Sequence, residues 1–254
     1  MRDKDTLYIL RDAARRLDLP TRRAFLRNAA GLGTLSLLSG CSVTDGLGAE
    51  RVLSSMSDFN DRVQAWLFNP RLLAPEYPAS AITRPFPFNS FYTPNSPELA
   101  PAIDPAGFVL NVTGKVERKA DWTLPQLHAL PRFTQITRHI CIEGWSAIGK
   151  WTGVRFSDFL ARIGADTRAK YVTFRCDDNY VTSIDMPSAL HPQTQLCFWF
   201  DDHILPRAYG FPMKLRIPTK LGFKNPKHIG EIEVGDDFTG GYWETYGYNW
   251  FSGL

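Results

Sequence analysis

Cysteine is scarce in this chain, and its scarcity excludes several kinds of site. Four cysteines occur in 254 residues, at positions 41, 141, 176 and 197, too few for the disulfide-dense scaffold of a small secreted domain. The sequence contains no haem-attachment motif and no iron–sulfur spacing. Its histidines and cysteines also lack a recurring zinc-ligand spacing. Covalently attached haem, iron–sulfur clusters and a structural zinc site are therefore not indicated.

Long apolar runs, internal repeats and low-complexity tracts are also missing from the body of the chain. After the first 41 residues, no apolar run approaches the roughly 20 residues that cross a bilayer as a helix. The overall composition is 44% hydrophobic and 13% aromatic. These values indicate a globular protein with one large domain or two small ones.

An excess of positive charge is present in the N-terminal region alone. Eight of the 29 Lys and Arg and four of the 26 Asp and Glu fall in residues 1–41. The remaining 21 basic and 22 acidic residues give the body a net charge of −1. Nucleic-acid binding requires a broad basic surface, so the charge distribution disfavours it.

Residues 1–41 have the parts of an export signal. Thr21–Arg27 reads Thr-Arg-Arg-Ala-Phe-Leu-Arg and precedes a weakly apolar stretch, a pattern typical of twin-arginine signals. This route exports folded proteins and is favoured by those that acquire a cofactor in the cytoplasm. The stretch ends Leu-Ser-Gly-Cys at Cys41, which resembles a lipobox. We predict a periplasmic protein anchored through Cys41; cleavage at a nearby site and a plain basic amphipathic helix are the alternatives.

The remaining chain predicts an α+β fold with mixed β-sheets and short surrounding helices. Residues 42–83 are interpreted as a linker and N-terminal extension, with an amphipathic segment at 63–68, and residues 84–254 as the functional domain. Helices are predicted at 124–130 and 156–163, the second with Ser157 as N-cap. Strands are predicted at 108–116, 171–176, 181–186, 196–200, 203–205, 213–217 and 228–234, with a hairpin turn at Asp201-Asp202.

Two stretches carry candidate chemistry. In Arg138–Lys150, Cys141 is either a buried structural cysteine or a thiolate whose pKa is lowered by Arg138 and His139. Such a thiolate would be a metal ligand or a nucleophile with His139 as base. Ser146 resembles a nucleophile elbow but lacks the second glycine. In Lys214–His228, five cations among turn-forming residues are either a solvated face or a loop that binds one buried anionic group.

Several motifs resemble the molybdopterin domain of the sulfite oxidase family. Residues 141–146 read Cys-Ile-Glu-Gly-Trp-Ser, residues 151–154 Trp-Thr-Gly-Val, and residues 210–218 and 220–227 follow the same family in order. The nearest branch is that of bacterial periplasmic protein-methionine-sulfoxide reductase catalytic subunits. The resemblance implies a sulfite-oxidase-type fold over residues 84–254 and a molybdenum–molybdopterin cofactor.

By that resemblance Cys141 is the protein ligand of molybdenum; Glu143, two residues further on, is the second candidate catalytic residue. Glu143 would move protons if burial raised its pKa. The cofactor-binding residues implied are Asn89, Tyr92, Thr93, Cys176, Tyr209, Lys214, Lys224, Asn225, Pro226 and Lys227. Cys176 stands where the branch has Thr, Tyr209 where it has Asn, and Lys214 where it has Arg, which removes a bidentate fork.

The implied activity is oxygen-atom transfer outside the cytoplasm, as reduction of a small-molecule or protein-bound S-oxide such as methionine sulfoxide. Electrons are expected from a membrane haem b partner. A sulfite-oxidising molybdoenzyme is the first alternative, disfavoured because Glu143 and Trp145 replace an arginine-containing segment. The others are a hydrolase or transferase with a Cys141 nucleophile, and a cofactor-free lipoprotein that binds a partner through its aromatic C-terminus.

Overall fold

The computed structural model describes residues 47–90 and 100–254, with side chains from residue 52 onward. Residues 58–254 form one compact unit. The predicted signal segment, Cys41, Tyr92 and Thr93 lie outside the described residues. None of the described helices is both long and apolar enough to cross a membrane.

The first sheet has five strands in the order β2-β1-β10-β5-β6. β1 and β10 pair in parallel, whereas the other neighbours are antiparallel, so the sheet is mixed as predicted. Its strands are β1 (Val109–Gly114), β2 (Trp122–Thr123), β5 (Tyr171–Cys176), β6 (Val181–Asp185) and β10 (Ile229–Gly235).

The second sheet is antiparallel and carries the Cys141 motif at one end. Its strands run β3-β4-β7-β8, and β9 pairs with β7. Gly153 of β4 lies so close to β7 that an added Cβ would stand 1.8 Å from the Leu196 carbonyl oxygen, which explains the glycine. The strands are β3 (Phe133–Ile140), β4 (Ser146–Arg155), β7 (Gln195–Phe200), β8 (His203–Ile204) and β9 (Lys214–Arg216).

Four α-helices are described: α1 (Leu47–Leu67), α2 (Leu124–His128), α3 (Phe156–Ile163) and α4 (Met186–Ala189). Two helix predictions are confirmed by α2 and α3. Within residues 42–83, interpreted as a linker and N-terminal extension, residues 47–67 are helical. Beyond residue 58 this helix is tied to the C-terminus: the Asp61 carboxylate accepts from the Phe251 N–H at 2.7 Å. Ser157 is not an N-cap, since α3 begins after Arg155.

All seven predicted strands are present, and the Asp201-Asp202 turn joins β7 to β8 as a hairpin. Two long strands, β3 and β4, were not predicted, although they form the hairpin that carries Cys141. The main core packs α3 against β5, β7 and β10 through buried residues such as Phe159, Phe174 and Ile232. A smaller aromatic cluster around Phe86 and Trp151 lies beneath the candidate site.

Candidate functional site

Cys141 is held in a tight turn between β3 and β4. Its N–H donates to the Trp145 carbonyl at 2.9 Å, and the Gly144 N–H donates to the Cys141 carbonyl at 3.2 Å. Gly144 has φ +89°, a left-handed conformation that side chains other than glycine disfavour. The hairpin therefore presents the thiol at its end in a fixed position, and the glycine in the motif is explained.

The Cys141 thiol lines a cleft of about 590 Å³, mouth included. Seven of the predicted site residues line it together: Asn89, Cys141, Glu143, Tyr209, Lys214, Asn225 and Lys227. The cleft is also lined by residues not predicted as site residues, most of them aromatic: Phe86, His139, Trp145, Trp151, Phe223 and Trp243. The structure therefore assembles most of the predicted site from three distant parts of the chain.

Arg138 and His139 were expected to supply positive charge next to the Cys141 thiol, and neither does. Burial, with Lys214 and other cations nearby, drives the pKa of His139 well below its ordinary value, so the imidazole is neutral. The Arg138 guanidinium instead lies 5.4 Å from the Tyr77 ring centre. Burial raises the pKa of the Cys141 thiol, and Lys227 is the cation that opposes it. The expectation that Arg138 and His139 activate the thiolate is wrong.

Lys214 and Lys227 bring positive charge to the cleft, Lys214 from a buried side chain and Lys227 from a partly buried one. Lys214 is 3% exposed, and its Nζ lies 4.9 Å from the Trp151 ring centre. Burial, then the charges of Lys227 and Arg216, drives the pKa of Lys214 well below its ordinary value. Burial likewise lowers the pKa of Lys227 to about 8. Cations buried near one another are unfavourable unless an anionic group joins them.

The other three cations of Lys214–His228 do not line the cleft. Arg216 donates to the Asn225 side chain at 3.0 Å and to the Thr137 hydroxyl at 3.1 Å. Lys220 donates to the Phe251 carbonyl at 2.7 Å. Lys224 is ion-paired with Glu244 and donates to the Thr182 hydroxyl. The segment is buried and not a solvated face, but its cations do not converge on one point as expected.

Glu143 fastens the segment that carries Asn89 to the Cys141 turn. Its Oε1 accepts from the Ser90 N–H at 2.9 Å and from the Ser90 hydroxyl at 2.7 Å. Its Oε2 accepts from the Trp145 indole at 3.0 Å. Burial raises the pKa of Glu143, but these hydrogen bonds outweigh it and the net pKa is lowered. The expected rise toward neutrality is wrong, and Glu143 is a carboxylate at neutral pH.

The polar lining is ordered by contacts to backbone and to other lining residues. The Tyr209 hydroxyl donates to the Phe86 carbonyl at 2.7 Å, and its ring stacks on Phe88 at 4.8 Å. Lys227 donates to the Ala208 carbonyl at 2.8 Å and approaches the Asn89 side-chain oxygen at 3.4 Å. The cleft is therefore preformed, which lowers the entropy lost when it binds a ligand.

Three predicted cofactor residues lie elsewhere. Cys176 is buried in the main core and Lys224 pairs with Glu244. Pro226 is buried, and its carbonyl accepts from the Leu215 N–H at 3.0 Å. Among the aromatic residues that line the cleft, Trp145 and Trp151 could have been found from the sequence, because they stand in the motifs at 141–146 and 151–154. His139 had the signal of standing two residues before Cys141, whereas Trp243 had none beyond its residue type.

The donor set fits the cofactor that the resemblance implies. A thiol suits a soft metal, and two cations in the same cleft suit an anionic group beside it. The Nδ1 of His139 is buried with no hydrogen-bond partner in the described structure, which leaves a polar atom for a ligand to satisfy. These residues would hold molybdenum through Cys141 and the anionic part of molybdopterin through Lys214 and Lys227.

Comparison with known families matches residues 98–243 to a family described as the oxidoreductase molybdopterin binding domain. A relative in Azospira oryzae, named a putative protein-methionine-sulfoxide reductase subunit, is 57% identical. That alignment covers 96% of this chain and 92% of the relative. The family match over residues 98–243 includes the turn of Cys141 and the two cations of the cleft, Lys214 and Lys227.

More distant relatives are named protein-methionine-sulfoxide reductase catalytic subunit MsrP. The Burkholderia mallei protein is 28% identical over 71% of this chain and 61% of its own length. The Xanthomonas campestris protein is 31% identical over 57% and 52%. The chain therefore spans about half to three-fifths of these catalytic subunits.

A solved structure has the same fold. The sulfane dehydrogenase SoxCD from Paracoccus pantotrophus matches with a TM-score of 0.51 at 20% identity, over 54% of this chain and 40% of that chain. At this identity the match concerns the fold alone. The predicted sulfite-oxidase-type α+β architecture is confirmed.

Proposed function

Because the chain belongs to the molybdopterin-binding oxidoreductase family and is a molybdenum-dependent redox enzyme, we propose that it reduces the sulfoxide group of methionine sulfoxide. The relatives named above as methionine-sulfoxide reductase subunits support this substrate class. The reaction is R–S(O)–R′ with two electrons and two protons, giving R–S–R′ and water. The bound cofactor supplies the two-electron and oxygen-transfer chemistry at its metal.

The observation that carries the proposal is the chemistry of the cleft around Cys141. Cys141 would hold the metal, and Lys214 and Lys227, which line the same cleft, would hold the anionic part of the cofactor. The cleft is also lined by the Glu143 carboxylate and by aromatic rings such as Trp145 and Trp243. A carboxylate repels an anion such as sulfite, whereas aromatic rings accept a neutral thioether or sulfoxide.

The chain's own residues position the reaction and exclude water from it. Glu143 joins the Ser90 segment to the Cys141 turn, so both walls of the cleft are fixed before the substrate enters. The buried rings of Phe86 and Trp151 form an apolar floor, with centres 5.5 Å apart. His139, neutral beside this floor, adds no charge that would attract an anionic competitor.

The electrons come, in this proposal, from a second protein. The described residues contain no cluster of three His, Cys, Asp or Glu side chains that would hold a further metal. The sequence carries no haem-attachment motif. We propose a membrane haem b protein as donor, with the enzyme in the periplasm and anchored through Cys41 after export by the twin-arginine signal.

Metal analysis of the wild-type protein and the Cys141→Ser variant tests the cofactor assignment. Both are purified from a host that makes molybdopterin. Wild type is expected to contain roughly one molybdenum atom per chain, and the variant to lose the metal or change its absorption spectrum. Full activity in metal-free protein would overturn the assignment.

A substrate panel tests the proposed reaction. With a reduced viologen dye as electron donor, methionine sulfoxide is expected to be consumed. Sulfite with an oxidised acceptor is expected to give no turnover. The reverse pattern would establish the sulfite-oxidising alternative. Mass spectrometry of the mature N-terminus tests whether Cys41 carries lipid.

A further inference from the structure

We propose that an aromatic surface at the mouth of the cleft binds the polypeptide around the sulfoxide, so that the enzyme prefers protein-bound substrate. This surface, here called the aromatic platform, consists of Tyr242, Trp243, Tyr246 and Tyr248. The inference rests on the proposed sulfoxide reduction and adds where and how the substrate chain docks.

The platform is a contiguous set of rings, not scattered exposed residues. The Trp243 ring centre lies 5.4 Å from Tyr242, 6.1 Å from Tyr246 and 5.3 Å from Tyr248. Tyr246 is 65% exposed and Tyr242 48% exposed. Large apolar side chains grouped on a surface mark interaction sites, whereas single ones do not.

The platform is continuous with the candidate active site. Trp243 lines the same cleft as Cys141, and so does Phe223, whose ring centre lies 5.8 Å from Tyr248. A substrate bound in this cleft can therefore contact Trp243 and, through it, reach the other rings of the platform.

The platform is also held in place before any ligand arrives. Glu244, in the middle of this segment, is ion-paired with the fully buried Lys224. The Tyr242 N–H donates to the Val181 carbonyl of β6 at 2.9 Å, and the Tyr246 N–H to the Trp243 carbonyl at 3.0 Å. Rigid rings lose little conformational entropy on binding, so their contact area is converted efficiently into affinity.

Polypeptide is the ligand class that suits such a surface. Tyr and Trp offer a broad apolar face with a polar group at the edge, and they contact both side chains and peptide groups without demanding one sequence. A small sulfoxide such as dimethyl sulfoxide occupies the inner cleft and has nothing to place on the platform. The structure thus predicts a KM difference between the two kinds of substrate.

The test compares steady-state kinetics of the molybdenum-loaded enzyme on two substrates. One is a short capped peptide with a central methionine sulfoxide, and the other is dimethyl sulfoxide, both with a reduced viologen dye. Tyr242→Ala and Tyr246→Ala are expected to raise KM for the peptide about five- to tenfold while leaving its kcat within about twofold. KM for dimethyl sulfoxide is expected to stay unchanged, because neither tyrosine lines the cleft, and Tyr246→Phe is expected to retain most of the peptide affinity.

Phe238→Ala is the matched control. Phe238 is an exposed aromatic residue that contacts Tyr171 and Trp250 and does not line the cleft, so peptide KM is expected to be unaffected. Equal changes for both substrates, or none for either, would overturn the platform while leaving the proposed function intact. If loaded wild type reduces neither substrate, the proposed function is wrong, and the platform's assigned substrate falls with it.

Discussion

Glu143 joins two walls of the cleft, and its hydrogen bonds decide which chemistry it performs. Three donors, two from Ser90 and one from Trp145, use the lone pairs of the carboxylate and lower its pKa. A group that stays ionised at neutral pH is a poor proton donor. At the scale of single residues, Glu143 is therefore better described as a positioning residue than as a proton shuttle.

Substitution of Glu143 separates these two roles. Glu143→Gln keeps an acceptor for Ser90 and is expected to retain at least about a third of wild-type kcat. Glu143→Ala removes all three bonds and is expected to lower kcat/KM about tenfold or more. The pH–rate profile of Glu143→Gln should keep the shape of wild type. A Gln variant as inactive as Ala, with an altered pH profile, would favour proton transfer by Glu143.

The buried charge of Lys214, a second residue of the cleft, is expected to lower the stability of the fold while helping to bind the cofactor. Its ammonium is buried beside Lys227 and Arg216, and its pKa is driven well below the ordinary value. Lys214→Met is expected to raise the free energy of unfolding of cofactor-free protein by about 1–2 kcal/mol, because it removes a buried cation that forms no ion pair with any described residue. In a host that makes molybdopterin, the same variant is expected to retain less molybdenum.

Urea denaturation of protein from a molybdopterin-deficient host measures the first effect, and metal analysis the second. Lys150→Met serves as control, since Lys150 pairs with Asp202 at the surface and exposed pairs contribute little. A destabilised Lys214→Met protein that still loads molybdenum normally would contradict both the strain and the anion-binding role.

At the scale of secondary-structure elements, sequence patterns did not predict β3 and β4, the strands that carry the Cys141 turn. In β3 the buried positions are Gln135, Thr137 and His139, so a search for alternating apolar residues finds nothing there. In β4, Gly149 and Gly153 replace side chains that would signal a strand. By contrast, β5 and β7 bury apolar residues and were predicted nearly to their ends. The buried polar positions of β3 serve other contacts: Gln135 donates to the Gln193 carbonyl, Thr137 accepts from Arg216, and His139 lines the cleft.

The Lys224–Glu244 pair links the segment before β10 to the aromatic platform, and it gives a prediction at this scale. Lys224→Met leaves the Glu244 carboxylate buried without its partner and is expected to destabilise the fold by about 3 kcal/mol or more. Lys224→Met combined with Glu244→Leu is expected to recover most of that loss. Urea denaturation of the single and double variants measures both.

The same variants test the sequence-derived role of Lys224 in holding the cofactor. If the role of Lys224 is only to pair with Glu244, the double variant is expected to still bind molybdenum. If the double variant is stable yet free of metal, Lys224 contacts the cofactor and its pairing with Glu244 is secondary. Motif order alone did not distinguish these roles, because it places the lysine in a loop without saying which way the side chain points.

At the scale of the whole molecule, the five cations of Lys214–His228 have two different roles: some line the cleft, and the others hold parts of the fold together. Lys214 and Lys227 line the cleft, whereas Arg216, Lys220 and Lys224 tie this segment to β3, to the end of β6 and to the C-terminus. The sequence was sufficient to predict the fold class and the molybdopterin cofactor. The division among the five cations depends on long-range contacts that local pattern does not encode.

Lys220 makes this assembly sensitive to pH. It is 2% exposed, with its Nζ 3.5 Å from the Asp185 carboxylate and 2.7 Å from the Phe251 carbonyl. Burial lowers its pKa to about 7 from 10.5. Above pH 7 the folded protein releases this proton while the unfolded chain keeps it. Because the unfolded state then binds more protons, the contribution of Lys220 makes stability rise with pH from about 7 toward 10.5.

Urea denaturation at several pH values compares wild type with Lys220→Met. The difference in free energy of unfolding between them is expected to shift in favour of wild type above pH 7, by at most about 1.4 kcal/mol per pH unit. Below pH 6 the difference should level off, because Lys220 is protonated in both states. Parallel curves across the whole range would mean that the Asp185 carboxylate keeps Lys220 charged in the folded protein, and that the C-terminus is held by an ion pair instead of a neutral amine.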